Sequence, residues 1–390
     1  MYMRPIPERH RIIFYLGHLE AFDWNMVGTW AFGKPSFNSE FDRLFAFGID
    51  PVDGKLPDDK ASDWPSIERI RSYRDSTRNI VDDLLETADF ADPSHAQIFN
   101  VAIEHRLMHA ETLSYLLHWL DFGLKQKPES SDYRNGERRP AGQSRMIPAG
   151  ETVLGRSRDS TFGWDNEFQA QSVFVPEFTI DAFNVTNEEF LGFITAGGYS
   201  DRGLWTSESW DWLQETGIRH PKFWIYRNDV WFYRTMFEEV PLPPDWPVYV
   251  SHAEASAYAR WKHRSIPTEA QYHRAAFGFG TDKNASVEQG NYNCQSWTPM
   301  PVGSFQPNSF GVYDLVGNGW EWTSTPFAPF EGFEPFPFYR GYSADFFDGE
   351  HFVLKGASPR TSASLVRPSF RNWFQPHYPN VYATFRCVEQ

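Results

Sequence analysis

The chain has 390 residues, with 36 Lys plus Arg against 51 Asp plus Glu and a formal net charge of −15. With no basic run, that balance argues against nucleic acid or an anionic membrane surface as partner and points to small molecules. No apolar stretch approaches a membrane span, "MYMRPIPERHR" lacks the apolar core of a secretory signal, and two cysteines, Cys294 and Cys387, make no disulfide framework; a cytoplasmic protein is expected. Aromatic residues reach 17%, with 16 Trp, and crowd the chain after residue 160. Such density fits a core where rings fill the space between irregular loops, or an aromatic-walled site for a cationic or planar ligand.

In chain order, the first 125 residues read as a helical bundle. "GHLEAFDWN" places His18 on a helix face between Phe14 and Phe22, four residues to either side, so the imidazole points into a core. "SDWPSIERIRSYRDSTRNIVDDLL" predicts a second helix with Pro65 at its start and Ile67, Ile70, Tyr73 and Arg74 at helical spacing. A long helix is predicted over about 93–120, with Asp92 as N-cap and Pro93 in the first turn. Residues 126–146 lose hydrophobic periodicity and collect Gly, Pro, Ser and charge, as a linker does. From 147 to 390 come the β-like runs "MIPAGETVLG", "QSVFVPEFTID", "PVYVS" and "HFVLKGAS", one evident helix at about 252–263, and long loops rich in Trp and Gly. The fold class is α+β, a bundle followed by a domain with much irregular structure.

"EHRLMHAET" carries His105 and His109 four apart, so both imidazoles leave one face of the long helix about a turn apart. They lie on the stripe Ile98, Ala102, His105, His109, Thr112, which faces the bundle core. A lone buried histidine is more often a core residue satisfied by one hydrogen bond. Two at this spacing with a third, His18, on a buried face of the same bundle make a metal site an equal alternative. Glu111 follows His109 by two residues, about 200° round the helix, and belongs outside the ligand set. Three imidazoles without a carboxylate suit zinc, iron or copper, and ligand type alone does not choose between them.

Two segments are recognisable. "FGVYDLVGNGWEWTSTPF", "WPVYVSHAEASAYARWKHRSIPTEAQYHRAA" and the terminal "FRC" resemble the signatures of the formylglycine-generating-enzyme (sulfatase-modifying-factor) fold, a C-type-lectin-related domain poor in regular structure. His105, His109 and Glu111 resemble the H-x3-H-x-E motif, and His18 in "FYLGH" the first histidine, of the DinB-like bundle that precedes this fold in the sulfoxide synthases of ergothioneine and ovothiol biosynthesis (EgtB and OvoA). "LFAFGIDPVDGKLPDDKASDWPSIERIRSYRD" looks most like the ovothiol branch and "RPSFRNWFQPHYPNVYATFR" most like the ergothioneine branch. The resemblance implies a non-haem iron oxidoreductase in which His18, His105 and His109 hold Fe(II), with O2 as co-substrate. It joins the sulfur of a thiol to an imidazole carbon of hercynine or histidine and oxidises that sulfur to a sulfoxide.

The same resemblance implies the remaining site residues. "PFYRGYS" places Tyr339 at the position of the family's active-site tyrosine, with Tyr342 beside it; a phenol there can donate a proton and keep the oxidant from merely turning thiol into sulfinate. Asn372 matches the residue holding the carboxylate of the histidine-derived substrate, and Arg371, Trp373, Phe374 and Met108 complete the expected substrate-binding set. Trp373 and Phe374 offer faces for a trimethylammonium group. "GNGWEW" reads as a structural motif, and the loops near it are a secondary candidate for calcium or sodium.

Three departures shape the expectation. Tyr382 stands where formylglycine-generating enzymes have the first of two cysteines, five before Cys387, so dithiol chemistry is not expected. Phe374 replaces the aspartate that holds the γ-glutamylcysteine amine in mycobacterial-type EgtB, and "DPVDGK" replaces its arginine pair, which favours cysteine as the thiol. Only 17 residues precede His18, and no methyltransferase segment follows Gln390 as in OvoA, which suggests a trimmed bundle. The alternatives are a histidine-and-cysteine (ovothiol-type) or selenosugar-using (selenoneine) enzyme on the same fold, and a non-catalytic binding module. The sequence leaves the oligomeric state unknown.

Overall fold

The computed structural model describes residues 1–46, 58–129, 143–158, 161–278 and 289–389. The "DPVDGK" segment and most of the stretch read as a linker lie outside the described residues. The chain divides into two compact units, Met1–Leu124 and Lys125–Gln390.

The first unit is helical. Helix α1 (Ile12–Asp23) runs on into a π-helical stretch, Trp24–Ala31, followed by α2 (Ser39–Leu44), α3 (Ile67–Glu86) and α4 (Pro93–His118). Asp92 caps α4 as predicted, its carboxylate accepting from Ser94 N at 2.8 Å, with Pro93 as the first helical residue. Helix α3 differs slightly from expectation. Ser66 is the N-cap, accepting from Arg69 N, and Pro65 precedes the cap. Its core face is Ile70, Tyr73, Thr77, Val81 and Leu84; Arg74 is exposed, because one step past Tyr73 turns the side chain about 100° towards water.

Charged groups tie three of these helices together. Glu20 and Asp23 of α1, both buried, meet Arg78 of α3 at 2.7 and 2.8 Å and Arg106 of α4 at 3.2 and 2.7 Å. Burial pushes both carboxyls up to about 7 against the pull of Arg78. Removing one arginine would leave buried acids short of a counter-charge, so the network fixes how α1 lies on α3 and α4.

Among the described residues the second unit contains four small sheets. Strands β1 (Ser144–Ile147), β4 (Phe178–Asp181) and β12 (Val388–Glu389) form one antiparallel sheet, and β2 (Gly150–Leu154) pairs with β3 (Gln171–Val175). Helices α5 (Asn187–Thr195) and α6 (Ser207–Thr216) precede the meander β5 (Trp224–Arg227), β6 (Val230–Arg234) and β7 (Glu239–Pro241). Helices α7 (His252–Trp261) and α8 (Glu269–Phe277) follow. The last sheet has the order β10 (Asn372–Phe374), β9 (Phe352–Ala357), β8 (Gly319–Pro326), β11 (Ala383–Thr384), with β11 parallel to β8.

Strand β1 begins at Ser144, inside the span read as linker, because residues 144–147 pair with β4. "PVYVS" is not a strand. Its Val248 N–H donates to Val185 and its Val250 N–H to Ala383, so the buried run is shared between two segments and builds no ladder. Helix α7 is where expected, capped by Ser251 and Glu254 in a reciprocal box. The motif residues are structural: Glu321 of "GNGWEW" and Arg386 of "FRC", both fully buried, form a two-pronged ion pair at 2.6 and 2.7 Å. Asn318 of the same motif spends its amide on Asn291 and Met300.

Candidate functional site

Helices α1 and α4 bring His18, His105 and His109 to one point in the first unit. Their Nε2 atoms form a triangle with sides of 3.2, 3.1 and 3.1 Å, and each residue is no more than 5% exposed. Desolvation pushes His18 down to about 4, against the pull of the Phe45 carbonyl, and holds His105 and His109 well below the usual histidine range. All three rings are therefore neutral at pH 7, so each has one ring nitrogen able to act as a metal ligand, and the three Nε2 atoms converge. Ligands about 2.0–2.1 Å from one ion stand roughly 2.9–3.4 Å apart at octahedral to tetrahedral angles, so the triangle fits a single transition metal. Among the described residues this is the one group of three or more His, Cys, Asp or Glu side chains with donor atoms within 4.8 Å of one another.

The rings are held from behind. His18 Nδ1 lies 2.6 Å from the Phe45 carbonyl, which fixes the proton on Nδ1 and turns Nε2 inward. Phe14 stacks on His18 with centroids 4.9 Å apart, and Phe22 on His105 at 3.5 Å and 11°. The stripe Ile98, Ala102, His105, His109, Thr112 is buried throughout. Glu111 is buried and stands outside the triangle, and Met108, between the two α4 histidines in sequence, is half-buried.

In the second unit three of the expected site residues, Tyr339, Tyr342 and Trp373, share one aromatic cluster. Tyr342 lies face to face with Trp164 at 3.9 Å, Tyr339 sits 5.4 Å from Tyr342, and Trp373 meets Tyr342 edge-on at 5.3 Å. Phe327 covers one face of Trp373, at 4.2 Å and 7°. Trp373 and Phe374 are consecutive on β10, so they point to opposite sides of the sheet and do not wall one pocket together; Phe374 stacks instead on Tyr378. Asn372 is half-buried, with its side-chain oxygen accepting from Trp373 N at 2.9 Å.

Arg371 is not presented to a ligand. Its Nε and Nη2 donate to Glu269 at 3.0 and 3.1 Å and its Nη1 to the Ala328 and Asn166 carbonyls, a buried arrangement that occupies all three nitrogens. The expectation that it binds substrate is corrected accordingly: it anchors the start of β10 to the core. Sequence reasoning missed the turn Trp164–Glu167. Asp165 accepts from Ser343 Oγ, Asn166 Nδ2 donates to the same oxygen at 3.0 Å, and Glu167 takes Arg367 and Ser369. One turn thus grips both the segment of Tyr339 and Tyr342 and the segment leading to Asn372. The only signal was three consecutive polar residues in an aromatic-rich loop.

Residues 129–390 match the sulfatase-modifying factor enzyme 1-like domain family. The chain is 34% identical over 337 residues to the hercynine oxygenase of Mycolicibacterium thermoresistibile, covering 81% of this chain and 73% of that protein. It belongs to the hercynine oxygenase (EgtB-like) family. Ergothioneine biosynthesis protein 1 of Neurospora crassa is 27% identical, covering 99% of this chain and 54% of that protein. The formylglycine-generating enzyme of Mycobacterium tuberculosis is 28% identical over 48% of this chain and 76% of its own length. Membership confirms the α+β class with a formylglycine-generating-enzyme-like domain. In this family member Tyr382, at the position of the missing cysteine, packs against Phe223 and Tyr249, and Cys387 is buried. No helix among the described residues is long and apolar enough to cross a membrane.

Proposed function

We propose that this family member is an iron(II)- and O2-dependent sulfoxide synthase that joins an imidazole carbon of hercynine to the sulfur of cysteine. The observation carrying the reading is the buried triangle of three neutral imidazoles, and the name of the mycobacterial relative supports hercynine as substrate. In the balanced reaction the imidazole C–H, the thiol S–H and O2 give a C–S bond, one S=O oxygen and one water. Bound iron(II) supplies one-electron reactivity towards O2 and open positions where reactants gather.

The protein's own residues do the rest. His18, His105 and His109 hold the metal, and the helical unit is assigned that task, while the second unit is assigned the substrates. Asn372, with its oxygen held by Trp373 N, presents its NH2 to a carboxylate. Tyr339, by its place in "YRGYS", donates the hydrogen bond or proton that favours coupling over simple thiol oxidation. Trp373 is assigned the trimethylammonium group, a cation–π contact worth roughly 0.5–2 kcal/mol. Phe374 brings no counter-charge for a γ-glutamyl amine, and an unpaired charge in a closed site costs several kcal/mol, so cysteine is the thiol.

Mass spectrometry of reactions of hercynine or histidine with cysteine or γ-glutamylcysteine, under air with Fe(II), tests the assignment. The hercynine and cysteine pair is expected to give the sulfoxide fastest. Product only from histidine and cysteine would move the enzyme to ovothiol-type chemistry, and product only with γ-glutamylcysteine would overturn the argument from Phe374.

A further inference from the structure

The hydrogen bond that aims His18 depends on the absence of a side chain at its neighbour. Phe45 follows the last residue of α2, and its carbonyl is among those a helix end leaves without an intrahelical donor. That carbonyl reaches His18 Nδ1 at 2.6 Å only because Phe45 lies hard against α1. The Phe45 ring occupies the space a side chain at Gly17 would need: a Cβ there would stand 2.4 Å from Cε2 and Cζ of the ring and 2.5 Å from Cδ2. The ring cannot step aside, since it is fully buried among Phe14, Phe41, Trp64 and Tyr73.

We infer that Gly17 is a positioning residue for the metal ligand His18, acting through Phe45: the missing side chain admits the Phe45 ring, and the ring's seat sets the carbonyl that orients the imidazole. The inference rests on the reading that the histidines hold a metal. A methyl at position 17 would drive Phe45 and its carbonyl away from α1, freeing His18 to rotate or to change the nitrogen that carries its proton. Loss of such an orienting partner typically weakens metal binding about 10- to 100-fold.

The test uses the metal-free full-length chain with Co(II) as probe, in the parent, in Gly17→Ala and in Gly17→Ala/Phe45→Leu. Gly17→Ala is expected to bind Co(II) about 10- to 100-fold more weakly and to lose one slowly exchanging, metal-shifted imidazole N–H proton resonance, a signature that altered packing alone would not remove. The double variant keeps the backbone carbonyl and relieves the clash with a smaller side chain, so affinity and resonance are expected to return. A folded Gly17→Ala protein with parental affinity and resonances would overturn the inference. If that variant does not fold, the double variant decides, and a folded double variant that binds Co(II) weakly would overturn it. A parent chain that takes up no Co(II) would instead overturn the metal centre itself.

Discussion

Tyr342 and Trp164, far apart in sequence, lie face to face with ring centroids 3.9 Å apart and an interplanar angle of 26°. The contact joins the loop that carries Tyr339 to the turn Trp164–Glu167, whose polar side chains grip Ser343 on one side and Arg367 on the other. The tyrosines therefore sit on irregular backbone held by a rigid buried turn, which suits a group that must stay in place while substrates exchange.

Replacing Tyr339 by Phe removes the hydroxyl and leaves the ring's place beside Tyr342 and Trp164 intact. The expected outcome is a shift of product from the C–S coupled sulfoxide towards the sulfinate of the thiol, measured as the ratio of the two by mass spectrometry. An unchanged ratio would show that the tyrosine only packs.

Asp165 gives a pH dependence with a definite sign. Burial raises its carboxyl from 3.8 to about 6, against the hydrogen bond from Ser343. Between those values the folded state keeps a proton that the unfolded state has lost, so this group's contribution to stability falls as pH rises from about 4 to 6 and is level above. Asp165→Asn removes the titration and keeps an oxygen for Ser343. Urea denaturation at pH 4 and pH 7 is expected to show the variant gaining on the parent by on the order of 3 kcal/mol over that range.

Arg371→Ala separates anchoring from substrate binding. Deleting the guanidinium strands Glu269 with Lys355, 3.7 Å away, as its remaining cation. Breaking a buried pair of this kind costs about 3–5 kcal/mol, with Lys355 placing the expected loss at the lower end. Denaturant melts of the second unit should show it, whereas a residue used only for substrate would change KM and leave the melt alone.

His18→Ala, His105→Ala and His109→Ala are each expected to reduce iron from one per chain to a small fraction after anaerobic loading. The second unit's unfolding transition should not move, because all three ligands belong to the first unit. Full iron occupancy in any of the three would remove that residue from the ligand set.

The features legible in the sequence were those set by local periodicity. The stripe through His105 and His109, the Asp92 cap and helix α7 depend on residues within a few turns of one another, and all are present in the structure. What escaped was set by distant partners. "PVYVS" has the composition of a strand, yet its hydrogen bonds go to Val185 and Ala383, which no local pattern announces. Arg371 stands next to Asn372 in sequence, but alternation along the chain turns it into the core, where Glu269 waits. The role of Trp164–Glu167 was invisible for the same reason, since its partners Ser343 and Arg367 lie at the far end of the chain.

The most direct test of the account is the ratio of sulfoxide formed to O2 consumed by the Fe(II)-loaded chain given hercynine and cysteine, followed with an oxygen electrode and mass spectrometry on the same sample. The account predicts one sulfoxide per O2 in the parent and neither product nor oxygen uptake in His105→Ala. Oxygen uptake with no C–S coupled product, or coupling that survives His105→Ala, would contradict it.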